Sequence, residues 1–143
     1  MALRVYIASR ARPDLSMMWR RVRAEGKIEV TSRWIDELSD RSTIDFRRLW
    51  RHIGEDISRS QALIVYLESR DLPARGALVE IGMALATSLP VIVVAPDVVF
   101  ESDTDWPLGS WIHHPLVRVM PSLTLALDWC QIAESTLQAE SPP

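Results

Sequence analysis

Two stretches of the chain, "ALIVYLE" at 62–68 and "PVIVVAP" at 90–96, are apolar at almost every position. A strand with one face in water alternates polar and apolar residues. A run without alternation has to be covered on both faces, which is the condition of a strand inside a parallel sheet with helices on each side. Between the two runs lies "GALVEIGMALA" (76–86), long enough for the helical crossover that parallel strands require.

The same alternation extends in both directions. "LRVYIAS" (3–9) reads as a strand, and "LSMMWRRVRAEG" after Pro13 as a helix stopped at Gly26. "IEVTSRW" (28–34) reads as a second strand. Ser42 and Thr43 are placed to cap a long helix, "TIDFRRLWRHIGEDISRSQ", whose Phe46, Leu49, Trp50, Ile53 and Ile57 share one stripe. A short strand around "VRVM" (117–120) and an amphipathic helix from Ser122 complete the pattern. It predicts a five-stranded, doubly wound α/β fold with a parallel sheet. The length suits one domain, over 1–138, with a polar tail at 139–143.

A net charge of −3 leaves no electrostatic footprint for nucleic acid. No apolar run approaches the roughly 18 residues of a membrane span, and "MALRVYIA" is too short and too strand-like for a signal peptide. The single Cys130 excludes a disulfide framework or a cysteine metal cluster within the chain, and reads as a core thiol. The expectation is a cytoplasmic protein with a small-molecule partner, and with no nucleic acid, membrane, metal or cofactor.

In doubly wound sheets ligands bind beyond the carboxyl ends of the strands, where the strand order reverses. The segments to search are therefore "IASRARP", "TSRWIDE", "LESRDLPARG" and "APDVVFESDTDWPLGSWIHHP". They hold no GxGxxG, Walker or GxSxG string, which leaves dinucleotide and nucleoside-triphosphate chemistry unsupported. His113 and His114 are adjacent and so point apart, and His52 and Asp56 read as an exposed helical pair.

"GALVEIGMALA" places one acid, Glu80, among apolar residues and two glycines, each costing a helix interior about 1 kcal/mol relative to alanine. Helical side chains lean toward the N-terminus, so Glu80 lies over the turn of Gly76 on the same face, where the missing side chain leaves room for a ligand. Gly82 faces elsewhere and is expected to let the helix sit close on the sheet. The alternative is a glutamate hydrogen-bonded near the helix start, and the pattern alone does not choose between them.

"VYIAS", "GEDISRSQALIVYLE" and "GALVEIGMALATSLPVIVV" together resemble the nucleoside 2-deoxyribosyltransferase family and the related nucleoside 5′-monophosphate N-glycosidases. The resemblance covers roughly residues 3–96, and its most specific part is the string of Gly76, Glu80, Gly82 and Ala84. It implies a flavodoxin-like sheet of order 2-1-3-4-5 and an enzyme, often oligomeric, that cleaves the N-glycosidic bond of a nucleoside or nucleotide. Deoxyribosyl transfer to another base through a covalent glutamyl intermediate is the leading implication. Hydrolysis of a 5′-monophosphate, or nucleotide binding without catalysis, is the alternative.

By the same resemblance Glu80 is the nucleophile, Asp56 the acid that protonates the leaving base, and Tyr6 the hydroxyl that orients the nucleophile. An ordinary salt-bridging helix acid and a buried strand tyrosine are the plainer readings of the last two. Ser9, Arg10 and Arg75 are candidates for a sugar hydroxyl or a 5′-phosphate, Ser32 and Trp34 for the mouth of the site with Trp34 stacking on the base, and Gly76 for room beside the nucleophile. Three positions depart from the family pattern. Ala74 stands where an acid or serine is common, and Ser60 and Gln61 replace the usual alanine-aspartate before the third strand.

Overall fold

A computed structural model describes residues 1–38 and 45–140. Five strands alternate with helices: β1 (Arg4–Ala8), α1 (Pro13–Glu25), β2 (Glu29–Val30), α2 (Trp34–Glu37), α3 (Phe46–Ser58), β3 (Ala62–Tyr66), α4 (Arg75–Ala86), β4 (Val91–Val94), β5 (Val117–Met120) and α5 (Leu123–Glu140). All strand pairs are parallel, in the order β2-β1-β3-β4-β5, the flavodoxin-like arrangement. The unbroken apolar runs occupy the middle: Leu63, Ile64, Val65 and all of β4 are fully buried. Strand order reverses at β1, which has β2 on one side and β3 on the other, so right-handed crossovers send α1 to one face and α3 and α4 to the other. That reversal opens the cleft described below.

Local signals explain the helix ends. α1 begins on Pro13, whose missing N–H is one that a first turn leaves unpaired anyway, and stops at Gly26 with φ 74°. Cys130 is buried on α5, and burial pushes its thiol up to about 12, as befits a core residue. Among the described residues no helix is long and apolar enough to cross a membrane.

Three expectations change. The second strand covers Glu29–Val30 alone, because side chains replace its ladder. Ser32 Oγ accepts from Ile7 N at 2.6 Å, and Trp34 Nε1 donates to Ile7 O at 2.7 Å, so β1 is satisfied while the chain turns into α2. α3 starts at Phe46 with Asp45 as its cap, accepting from Arg48 N at 3.1 Å; Ser42 and Thr43 lie outside the described residues. Finally, Gly82 is exposed, and a Cβ added there would meet nothing within 4 Å, so no close helix–sheet approach explains it.

Candidate active site

Beyond the carboxyl ends of β1 and β3 lies a cleft of about 200 Å³. One wall is the loop after β1, with Ser9, Arg10 and Ala11. The opposite wall is the first turn of α4, with Ala74, Arg75, Gly76 and Ala77, and Glu80 stands at the back. Trp34 and Leu38 of the α2 region and Leu49, Trp50 and Ile53 of α3 close a third, apolar side.

Glu80 is buried, 8% exposed, and Tyr6 Oη donates to its Oε1 at 2.6 Å. Burial raises the carboxyl to about 7, and the tyrosine hydrogen bond works in the opposite direction by favouring the ionised form. Tyr6 is itself fully buried on β1. Burial first, then the Glu80 charge and the hydrogen bond it accepts, then the Asp56 charge, push the phenol well above its ordinary range, which keeps it a neutral donor. A buried carboxylate steered by one neutral O–H and facing a cleft is equipped to meet an electron-poor carbon.

Gly76 is exposed on the cleft wall, and a Cβ there would project into open space. The absent side chain therefore leaves free the volume over Glu80 that helix geometry pointed to. Ala74 precedes α4 in the left-handed region, φ 49°, and offers no side-chain cap, so among the described residues the orphan N–H groups of the first turn are left without the capping acceptor that a serine, threonine or aspartate would supply.

The other anticipated residues divide. Ser9, Arg10, Trp34, Arg75 and Gly76 line the cleft with Glu80, and Tyr6 reaches it through the carboxylate. Ser9 Oγ accepts from Trp19 Nε1 at 2.8 Å, and Arg10 Nε donates to Asp71 O at 3.2 Å. Trp34 is buried in the cleft wall, with its indole N–H on Ile7 O. Ser32 is not on the cleft; its hydroxyl is used on β1.

Asp56 is likewise not brought to the cleft. It is 1% exposed, and its Oδ1 accepts from Arg33 Nε at 2.9 Å and Arg59 Nη2 at 2.7 Å, its Oδ2 from Arg33 N at 3.0 Å. Two guanidiniums and a backbone N–H thus occupy the carboxylate that the resemblance offers as proton donor. Nor is it paired with His52, whose Nδ1 lies 2.6 Å from Glu37 Oε1. His113 pairs with Asp105 at 2.9 Å, and His114 Nδ1 accepts from Leu116 N at 3.0 Å. Among the described residues no group of three His, Cys, Asp or Glu could hold a metal.

The apolar side of the cleft was not anticipated as a wall. Leu49, Trp50 and Ile53 read in sequence as core, yet Trp50 is 37% and Phe46 60% exposed. An aromatic stripe that starts on the surface and ends in the core is the available signal.

No protein-family profile matches the chain, and no curated protein matches it in sequence. In three dimensions it is similar to a solved structure described as "2-desoxiribosyltransferase from Leishmania mexicana", with a TM-score of 0.62 over 89% of this chain and 95% of that one, at 21% identity. The two share a fold. At that identity the likeness speaks for the arrangement of strands and helices, and the chemistry has to be argued from the cleft.

Proposed function

We propose that the protein cleaves the N-glycosidic bond of deoxynucleosides and transfers the deoxyribosyl group to a second base. The observation that supports this reading best is the buried Glu80 carboxylate, oriented by Tyr6 and facing a cleft kept open by Gly76. The ionised carboxylate attacks C1′ as the C1′–N bond breaks, and the base leaves with the bonding electrons and takes a proton from water. A nitrogen of a second base then attacks C1′ of the glutamyl ester, gives its proton back to the solvent and releases Glu80 as the carboxylate. The residues in contact with Tyr6 and Glu80 exclude water from the carboxylate, which raises its reactivity toward the oxocarbenium-like centre. A nucleoside deoxyribosyltransferase-like activity also agrees with the shared fold.

A second reading, hydrolysis of nucleoside 5′-monophosphates, is favoured by Arg10 on one cleft wall facing Arg75 and the uncapped first turn of α4 on the other, a set suited to a phosphate. The protein works as an oligomer in either case, since Val99 and Trp106 stand 86% and 64% exposed on the loop after β4 and call for cover. Incubation with a panel of deoxynucleosides and 5′-monophosphates, with and without added base, tests the proposal. Base release that needs an acceptor indicates transfer; release without one indicates hydrolysis; tight binding with no release from any compound leaves a non-catalytic binding module.

A further inference from the structure

Arg12 and Asp71, 59 residues apart in the chain, join the two loops that form opposite walls of the cleft. Neither lines the cleft itself. Asp71 is 2% exposed, and every acceptor it has is used: Oδ1 by Arg12 Nη1, Oδ2 by Glu68 N at 3.0 Å, and the main-chain oxygen by both Ala74 N at 3.1 Å and Arg10 Nε at 3.2 Å. The other two nitrogens of Arg12 donate to Glu68 Oε2 at 2.7 Å and Asp14 Oδ1 at 3.2 Å. Its guanidinium is thus committed to three carboxylates, while neighbouring Arg10 turns toward the cleft from a single anchor.

The carbonyl of Asp71 holds one group from each wall. On one side is the guanidinium of Arg10. On the other is Ala74, kept in a left-handed conformation that a residue with a Cβ adopts only where its surroundings impose it, and from which α4 starts. A shift of Asp71 would therefore move both walls together.

We infer that Arg12 and Asp71 form a clamp that positions Arg10 and the first turn of α4 across the cleft, and so determines how the 5′ end of the substrate sugar is held. The role in substrate recognition rests on the proposed reaction; the clamp itself does not. Both are positioning residues, because their effect reaches the substrate through Arg10 and the α4 backbone. Glu80 and Tyr6, one turn further along α4 and on β1, keep their own hydrogen bond and are left to do the chemistry.

Asp71→Asn preserves the shape and an acceptor for Glu68 N but removes the charge that holds Arg12. It should raise KM about tenfold while kcat stays within about threefold. Arg12→Met should match it, the double variant should be no worse than the worse single one, and Arg12→Lys, which can reach one carboxylate but not three, should lie between. Falling kcat at constant KM, or unchanged kinetics in both single variants, overturns the inference. Amide hydrogen exchange supplies a readout that does not depend on activity. In Asp71→Asn and Arg12→Met, exchange should quicken in residues 9–12 and 72–78 while β3 and β4 remain as in the wild type; an increase spread evenly over the chain, or none, defeats the clamp. Should the wild type release no base from any compound, the exchange result still decides the clamp and the proposed reaction alone falls.

Discussion

Tyr6 and Glu80 stand 74 residues apart in the chain, and the phenolic hydroxyl of one meets the carboxylate of the other at 2.6 Å at the buried back of the cleft. The contact has a direction. Tyr6 donates, so it stabilises the charged form of a carboxylate that burial drives toward neutrality.

Tyr6→Phe removes that donor and leaves burial unopposed, so the carboxyl should titrate above its present value of about 7. A nucleophile must be ionised, and activity is lost on its acid side. The acid limb of kcat/KM for base release should therefore move to higher pH, with a loss of about tenfold below neutrality that shrinks in alkaline buffer. An unmoved limb would show that the hydroxyl does not tune Glu80.

Glu80→Gln separates chemistry from stability. The folded carboxyl lies near 7 against an ordinary 4.5, so the native state holds the proton more tightly than the unfolded chain. Its contribution to stability is fully present below about 4.5, declines as pH rises through 7, and is flat above, a difference on the order of 3 kcal/mol. Denaturant unfolding should find the glutamine variant more stable than the wild type in mildly alkaline buffer and nearly equal near pH 4.5. Base release should fall by about a thousandfold or more, and mass spectrometry of quenched enzyme should show a deoxyribosyl adduct on the wild-type peptide that holds Glu80 and none on the variant's. A variant that keeps its turnover rules out Glu80 as nucleophile.

Arg10→Ala and Arg75→Ala address the 5′ end of the substrate. If these guanidiniums read a phosphate, KM for monophosphates should rise about tenfold in each while nucleosides are handled as before. Equal effects on the two substrate classes would argue that the arginines shape the wall without reading charge.

Asp56→Asn should act on the fold and spare the reaction. The change leaves Arg33 and Arg59 without their shared anion, and a loss of about 2–3 kcal/mol by denaturant unfolding is expected, below the full cost of a severed buried pair because both arginines are partly exposed. Activity per folded molecule should persist. Collapse of kcat at unchanged stability would restore Asp56 to the role of proton donor.

Light scattering at micromolar concentration should find more than one copy per particle, and Trp106→Ser together with Val99→Ser should shift the protein toward monomer. A monomeric wild type counts against the oligomer proposed from the exposed Val99 and Trp106.

The parallel sheet was determined by the sequence, because runs such as 62–68 and 90–96 are apolar on both faces, and only strands covered on each side tolerate that. The Gly76–Glu80 pair was equally legible, since helical spacing sets which side chains share a face. What the tertiary structure alone decided are relationships between distant segments. Periodicity could not show that Asp56 points away from the cleft into two arginines, that Ser32 and Trp34 take up the main-chain N–H and C=O of Ile7 where β2 ends after two residues, or that Arg12 and Asp71 join opposite walls. A helical angle fixes a side chain relative to its own axis; its partner depends on how helices pack on the sheet, and polar pairing across tens of residues leaves no periodic trace in the chain.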